Sequence, residues 1–182
     1  MNKISIRPER PEDFEAISKL VYESFHYGTS YSDGNVEERL VREIRSKQYY
    51  IPELSFVAEM EGKMVGYFML SHFPISGQHQ DELLLLSPVA VEYHHLRQGI
   101  GKAMINLGLE KAREQGYKGV LVEGNPEFYH IFGFVTSTEY GIYPSSEVKL
   151  PSPECLMVLE LCKDGLADIK GEVTYRMYKT LS

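Results

Sequence analysis

Leu83-Leu84-Leu85-Leu86-Ser87-Pro88-Val89-Ala90-Val91 runs through Glu92-Tyr93-His94-His95 into Leu96-Arg97-Gln98-Gly99-Ile100-Gly101-Lys102. This stretch decides the fold. Four consecutive leucines leave no polar face for solvent, so residues 82–91 read as a strand covered on both sides and therefore central in its sheet. Pro88 has no N–H for a ladder, so a bulge or a break in pairing is expected there. A helix over residues 99–115 follows, with Ile100, Ala103, Met104 and Leu107 in one stripe, Ile105, Leu109 and Ala112 widening it, and Gly116 at its end. Gly99 and Gly101 let backbone amides approach a ligand with no Cβ in the way. Amides at a helix N-terminus, with the helix dipole behind them, favour an anion, and Arg97 and Lys102 add positive charge beside it. The physical reading is a phosphate cradle, although a plain strand-to-helix turn would use the same glycines. A Walker loop is rejected, because its first glycine and its Ser/Thr would fall on Leu96 and Ala103. A dinucleotide fingerprint is rejected, because its third glycine would fall on Met104.

Working outward, Ile4 and Ile6 alternate with polar residues in a short first strand. Pro11, Glu12 and Asp13 open a helix whose apolar face is Phe14, Ile17, Leu20, Val21 and Phe25. Residues 27–34 read as a loop. Asn35 is expected to cap a second helix, with Glu38 in the capping-box position and Val36, Leu40, Val41 and Ile44 facing inward. Residues 54–60 and 63–71 form a hairpin about Glu61-Gly62. After the central helix come a short buried strand over 120–123 and a short helix over 127–132 closed by Gly133. Strands are expected at 134–138, 155–161 and 172–178, with an irregular proline-bearing linker over 140–153. Helices and strands alternate early and strands dominate late, which gives a mixed α/β or α+β single domain over residues 1–182.

Composition narrows the class. A chain of 182 residues is long enough for one sizeable core. It has 19 basic and 26 acidic residues, a formal charge of -7, which argues against a nucleic-acid partner. The absence of an apolar run of about twenty residues argues against a membrane span, and residues 1–12 carry no secretory signal. Cys155 and Cys162 are expected in one strand, an odd number of residues apart and so on opposite faces, which argues against a disulfide. A reducing cytoplasmic location follows.

Val89-Ala90-Val91, the loop from Arg97 to Gly101, the following helix, Asn125, Tyr129 and Gly133-Phe134 together resemble the GNAT superfamily of N-acetyltransferases. The resemblance covers residues 83–134 and extends towards Lys3 through the hairpin. It implies a central, twisted, mostly antiparallel sheet splayed between two parallel strands and flanked by helices. It also implies acetyl-coenzyme A as co-substrate, with its pantetheine arm along the backbone of Val89, Ala90 and Val91. The pyrophosphate would lie in the loop of Arg97, Gln98, Gly99, Ile100, Gly101 and Lys102. Asn125 would bond the coenzyme arm or serve as an ordinary helix cap. Tyr129 would protonate the leaving thiolate.

Two positions depart from the family pattern. Leu96 stands where the loop usually opens with Gln or Arg, a side chain on which the phosphate amides do not depend. The glutamate that many members carry inside the strand is absent from the Leu83-to-Leu86 run. Glu82, Glu123, and Ser87 through a water are then the candidate bases. The loop 27–31 lies where the family often shapes its acceptor pocket. His94-His95 has no completing ligand set nearby, so no metal is expected. The resulting expectation is an N-acetyltransferase acting directly on an amine acceptor, with a homodimer left open. Its rival is a non-catalytic acyl-coenzyme A binding or sensing module.

Overall fold

A computed structural model describes residues 3–29 and 32–181. Its strands are β1 (Ile4–Pro8), β2 (Ser55–Met60), β3 (Lys63–His72), β4 (Leu83–Val91), β5 (Gly119–Glu123), β6 (Val135–Thr136), β7 (Ile142–Pro144), β8 (Leu156–Glu160) and β9 (Gly171–Val173). Its helices are α1 (Phe14–Gly28), α2 (Asn35–Arg45), α3 (Ile100–Glu114) and the single turn α4 (Pro126–Tyr129). Seven strands form one sheet in the order β1-β2-β3-β4-β5-β8-β6. Every pairing in it is antiparallel except β4 with β5. The four-leucine strand is central, as its composition required.

The sheet carries a core on each face. Leu83, Leu85, Leu121 and Tyr67 pack with Ile17, Val21, Leu40 and Ile44 of α1 and α2. Leu84, Leu86, Val120 and Phe68 pack with Ile100, Met104, Ile105 and Leu109 of α3. Each fully buried Leu or Phe contributes about 1.5–3 kcal/mol, so this two-sided burial dominates stability over any surface ion pair.

Several local expectations are corrected. Gly34, in the left-handed region at φ 86, precedes α2 in the capping place, and Asn35 is the first helical residue. The Asn35 amide group instead donates to Asp33 at 3.0 Å. Both cysteines lie outside β8, Cys155 just before it and Cys162 just after it, and both are free thiols. The 172–178 strand is only three residues long and does not join the main sheet. It pairs in parallel with β7, inside the segment read as an irregular linker, to make a separate two-stranded sheet. Ser30 and Tyr31 of the 27–31 loop lie outside the described residues.

The C-terminal segment is tied to α2. Glu43 Oε1 accepts from the Lys179 amide at 2.7 Å and Oε2 from the Thr180 amide at 2.9 Å. Burial pushes the Glu43 carboxyl up, but the Lys47 ammonium and the two amides outweigh it and bring it to about 2.

Helix α3 approaches the sheet closely at Gly108, where an added Cβ would fall within the ring of fully buried Phe68. Gly108→Ala gains helix propensity of about 1 kcal/mol but overpacks the core, which costs about 1–3 kcal/mol. Urea unfolding is expected to show a net loss of up to about 2 kcal/mol, the difference of those two effects. A stabilised variant would mean that Phe68 has room to move.

Candidate active site

The site is built where β4 and β5 part. Their parallel ladder ends at Leu85 and Leu121. Beyond it β5 stays with β8, pairing Val122 with Met157 and Glu123 with Leu156, and the Gly124 amide donates to the Cys155 carbonyl at 2.9 Å. Strand β4 stays with β3. In that second ladder Ser87 and Pro88, joined by a cis peptide bond, oppose the single residue Met69, which is a bulge. The bulge at Pro88 was legible from the sequence.

The extra residue resets the alternation of faces. Before it, Leu84 and Leu86 point to the α3 side; after it, Val89 and Val91 do, and Ala90 points to the α1/α2 side. It also sets the amides. The Glu92 amide donates to the Val65 carbonyl at 2.9 Å. By antiparallel alternation Ala90 then directs its N–H to β3, while Val89 and Val91 direct theirs away from β3 into the opening. There the Val91 amide meets Ser24 Oγ of α1 at 3.2 Å.

A cavity of about 570 Å³ lies on the α3 face, lined by Val89, Val91, Arg97, Gly99, Gly101, Lys102 and Tyr129, with Ser24, Phe25 and Gly28 of α1 as its other wall. Gly99 caps α3 in the left-handed region, at φ 81, with no side chain bonded to the first-turn amides and no acid in that turn. A Cβ at Gly99 would meet nothing within 4 Å, so the space in front of those amides is open. Arg97 also has a positive φ, 61, which folds the loop over the helix start. Among the described residues neither Arg97 nor Lys102 is paired with a carboxylate. Ile100 contributes only its backbone, because its side chain is buried beneath the helix. Gln98 is exposed and turns back towards the His94 carbonyl at 3.5 Å.

Tyr129 is held by a close fit. Its ring lies against Gly124, where a Cβ would stand 2.5 Å from Cε2. Phe128 and Phe134 meet it edge-on at centroid separations of 5.0 and 5.7 Å. Burial pushes the phenol well above its ordinary value, so it stays protonated. Asn125 is the cap of α4: its Oδ1 accepts from the Glu127 amide at 3.0 Å.

A second cavity, of about 370 Å³, lies on the opposite face. Ser87 and Glu123 reach it from the two arms of the opening, Val36 and Leu40 from α2, and Tyr175 and Leu181 from the C-terminal segment. Glu123 is accessible to solvent through the cavity mouth, yet the protein around it raises its carboxyl above the ordinary 4.5 by desolvation. Tyr175 Oη donates to Glu123 Oε2 at 2.9 Å and opposes that rise. Glu82 is elsewhere, at the paired end of β4. It is bonded to Lys118 and to His79, at 2.5 Å for the latter, and both partners lower its carboxyl. That removes Glu82 as a candidate base. His95 is likewise engaged, its Nδ1 lying 2.6 Å from Glu92 Oε2. Ser24 and Tyr175 went unnoticed in the sequence, because each meets its partner over more than fifty residues of chain.

A mostly antiparallel sheet, opened at its one parallel pair above an uncapped helix start, defines an acyl-transferring enzyme of the GNAT type. Residues 15–134 match the model of the acetyltransferase (GNAT) family, and the chain belongs to that family: it is an acetyltransferase. It is 29% identical over 175 residues to the uncharacterized N-acetyltransferase YhbS of Escherichia coli strain K12, spanning 93% of this chain and 95% of that one. The crystal structure of Escherichia coli YhbS in complex with CoA superimposes with a TM-score of 0.82 at 26% identity, covering 95% of this chain and 89% of that one. A GNAT acetyltransferase from Brucella melitensis in complex with acetyl-CoA gives a TM-score of 0.77 at 24% identity over the whole of both chains, a likeness of fold. The family resemblance and fold class drawn from residues 83–134 therefore hold.

The two carboxyls make opposite titration predictions. In carboxyl-detected NMR, Glu123 is expected to titrate above 4.5 and Glu82 below it. The reverse order would return Glu82 to the list of bases.

Proposed function

We propose that this chain moves the acetyl group of acetyl-coenzyme A directly to an amine at the opening between β4 and β5. One observation carries the reading: where the parallel ladder of β4 and β5 ends, a carboxylate, Glu123, and a half-buried phenol, Tyr129, each line a cavity beside the opening. The local structure suits the coenzyme. The uncapped first turn of α3, with open space at Gly99, suits the pyrophosphate, and Arg97 and Lys102 supply charge. The outward amide of Val91 suits the pantetheine arm, by exchange with Ser24 Oγ, and the Val89 backbone lies beside it with its own amide left for the acetyl group. Gln98, Ile100 and Ala90 serve only through backbone or packing. Asn125, its Oδ1 occupied as a cap, keeps its Nδ2 for the coenzyme arm.

Bound acetyl-coenzyme A supplies an activated acetyl thioester. Glu123 takes a proton from the acceptor ammonium, either directly or through a water held by Ser87, which frees the nitrogen lone pair for attack. The Val89 amide receives the carbonyl oxygen as it gains negative charge. Tyr129 then donates to the departing sulfur. Burial keeps the phenol loaded, and the second proton of the acetylated nitrogen replaces the one the phenol gives to sulfur, leaving an amide and a free thiol. No covalent intermediate on the protein is needed. Residues 1–182 are read as one domain, working in the reducing cytoplasm as the free thiols Cys155 and Cys162 suit; a homodimer is the further assembly to be weighed.

The test is coupled thiol release from acetyl-coenzyme A across a panel of polyamine, aminoglycoside, amino-acid and peptide amines. Coenzyme binding without turnover on any amine would favour a sensing module. At 100 times its dissociation constant the coenzyme should stabilise the fold by about 2.7 kcal/mol. Gly101→Val should lose most of that stabilisation. Its new Cβ sits in ordinary contact with Val91 and Val89, at 3.6 and 3.8 Å, and the branches fill the groove. Equal affinity by calorimetry would remove this turn from the site. Tyr129→Phe keeps the ring and deletes the donor, so turnover should fall by about 10²–10⁴-fold with coenzyme affinity little changed. Unchanged turnover would leave Tyr129 as a packed aromatic.

A further inference from the structure

Residues 15–134 account for the family match, but the cavity holding Glu123 is closed by a segment outside it. That segment turns out of β9, packs Tyr175 against Phe73 at 5.8 Å between ring centroids, and is moored to α2 through Glu43. Its phenol reaches Glu123, 52 residues earlier in the chain, at 2.9 Å.

We infer that Tyr175 is a positioning residue for the acetyl transfer: it holds the Glu123 carboxylate by one oxygen and leaves the other oxygen to the acceptor ammonium. This rests on the reading of Glu123 as the base. The argument is one of geometry and counting. A carboxylate at the end of a strand turns freely about its last bonds, and a base must present one oxygen along a defined line. Among the described residues no cation within ion-pairing distance fixes Glu123. The other charged groups lining the cavity are Glu37 of α2, and Glu147 and Lys149 of the 145–150 loop. Glu147 is engaged by Arg176, whose Nε and Nη2 donate to it at 2.6 Å each. Lys149 Nζ turns to the Ser146 carbonyl at 3.4 Å. Tyr175 is thus the single side chain among the described residues that hydrogen-bonds Glu123. A neutral donor suits this task. It fixes the oxygen while leaving the carboxylate basic, whereas a lysine or arginine in its place would pull the proton affinity down.

Tyr175→Phe separates the hydrogen bond from the packing, because the ring stays on Phe73. In ¹³C-glutamate-labelled protein the Glu123 carboxyl signal is identified by its loss in Glu123→Gln. Removing a donor to the charged form raises the proton affinity of the carboxyl, so the Tyr175→Phe midpoint should move upward by about one pH unit. The acid limb of kcat/KM, measured with the most active amine of the panel, should move up by the same amount. kcat on the high-pH plateau should fall several-fold as the carboxylate loses its fixed direction, and the melting temperature should stay within a few degrees. An unmoved midpoint, or a moved midpoint with an unmoved acid limb and plateau, overturns the positioning role. The reading of Glu123 as base fails separately: Glu123→Gln would then keep the wild-type acid limb. A Tyr175→Phe protein with a much lower melting temperature and an unmoved midpoint would make Tyr175 a packing residue only.

Discussion

Strand β4 cannot keep two partners along its whole length. Its pairing with β5 stops at Leu85 and Leu121, and from there β5 follows β8 while β4 follows β3. A buried strand edge left without a partner is costly, because each unmet amide or carbonyl loses about 1–3 kcal/mol of solvation. At this edge β4 faces an open cavity. Ser87 and Pro88 form a bulge, Val89 and Val91 direct their N–H groups outward, and Ser24 meets one of them. Both cavities depend on that opening, one on each face of the sheet.

The two faces of the opening differ in what lines them. The α3 face carries the helix start, the glycines and Tyr129, all within one continuous stretch of chain. The α1/α2 face carries Glu123 and is walled by α2 and the C-terminal segment. Helix α2 must therefore be held accurately, and a buried ion pair at its end does so. Arg45 lies 2.6 Å from Glu9, Tyr50 bonds the same carboxylate at 2.5 Å, and the guanidinium sits 4.0 Å over the Phe14 ring. Such a pair adds little net stability over an apolar replacement, but losing one member costs about 3–5 kcal/mol, so it enforces one arrangement.

Glu82 and Glu123 have the same side chain and opposite fates. Glu82 sits between a lysine and a histidine and holds its charge firmly. Glu123 lines the mouth of a cavity with one neutral donor, and desolvation raises its carboxyl above the ordinary value. Identity alone could not rank them, because their partners come from Lys118 and His79 in one case and from Tyr175 in the other.

Residues 83–134 by themselves determined the central strand, the break at Pro88, the anion-ready helix start and the family. Each of these is a local property: an apolar run, a missing N–H, two glycines before an amphipathic helix. The helix start at Gly99 and the short helix that carries Tyr129 were legible for that reason. The tertiary structure alone decided which carboxylate faces the opening, which residues wall the cavity beside Glu123, and that residues 171–173 pair with β7 instead of joining the main sheet. Those outcomes depend on segments far apart in sequence, Glu123 with Tyr175 and Glu43 with Thr180. Burial and hydrogen bonding between such segments leave no periodicity or spacing in either one.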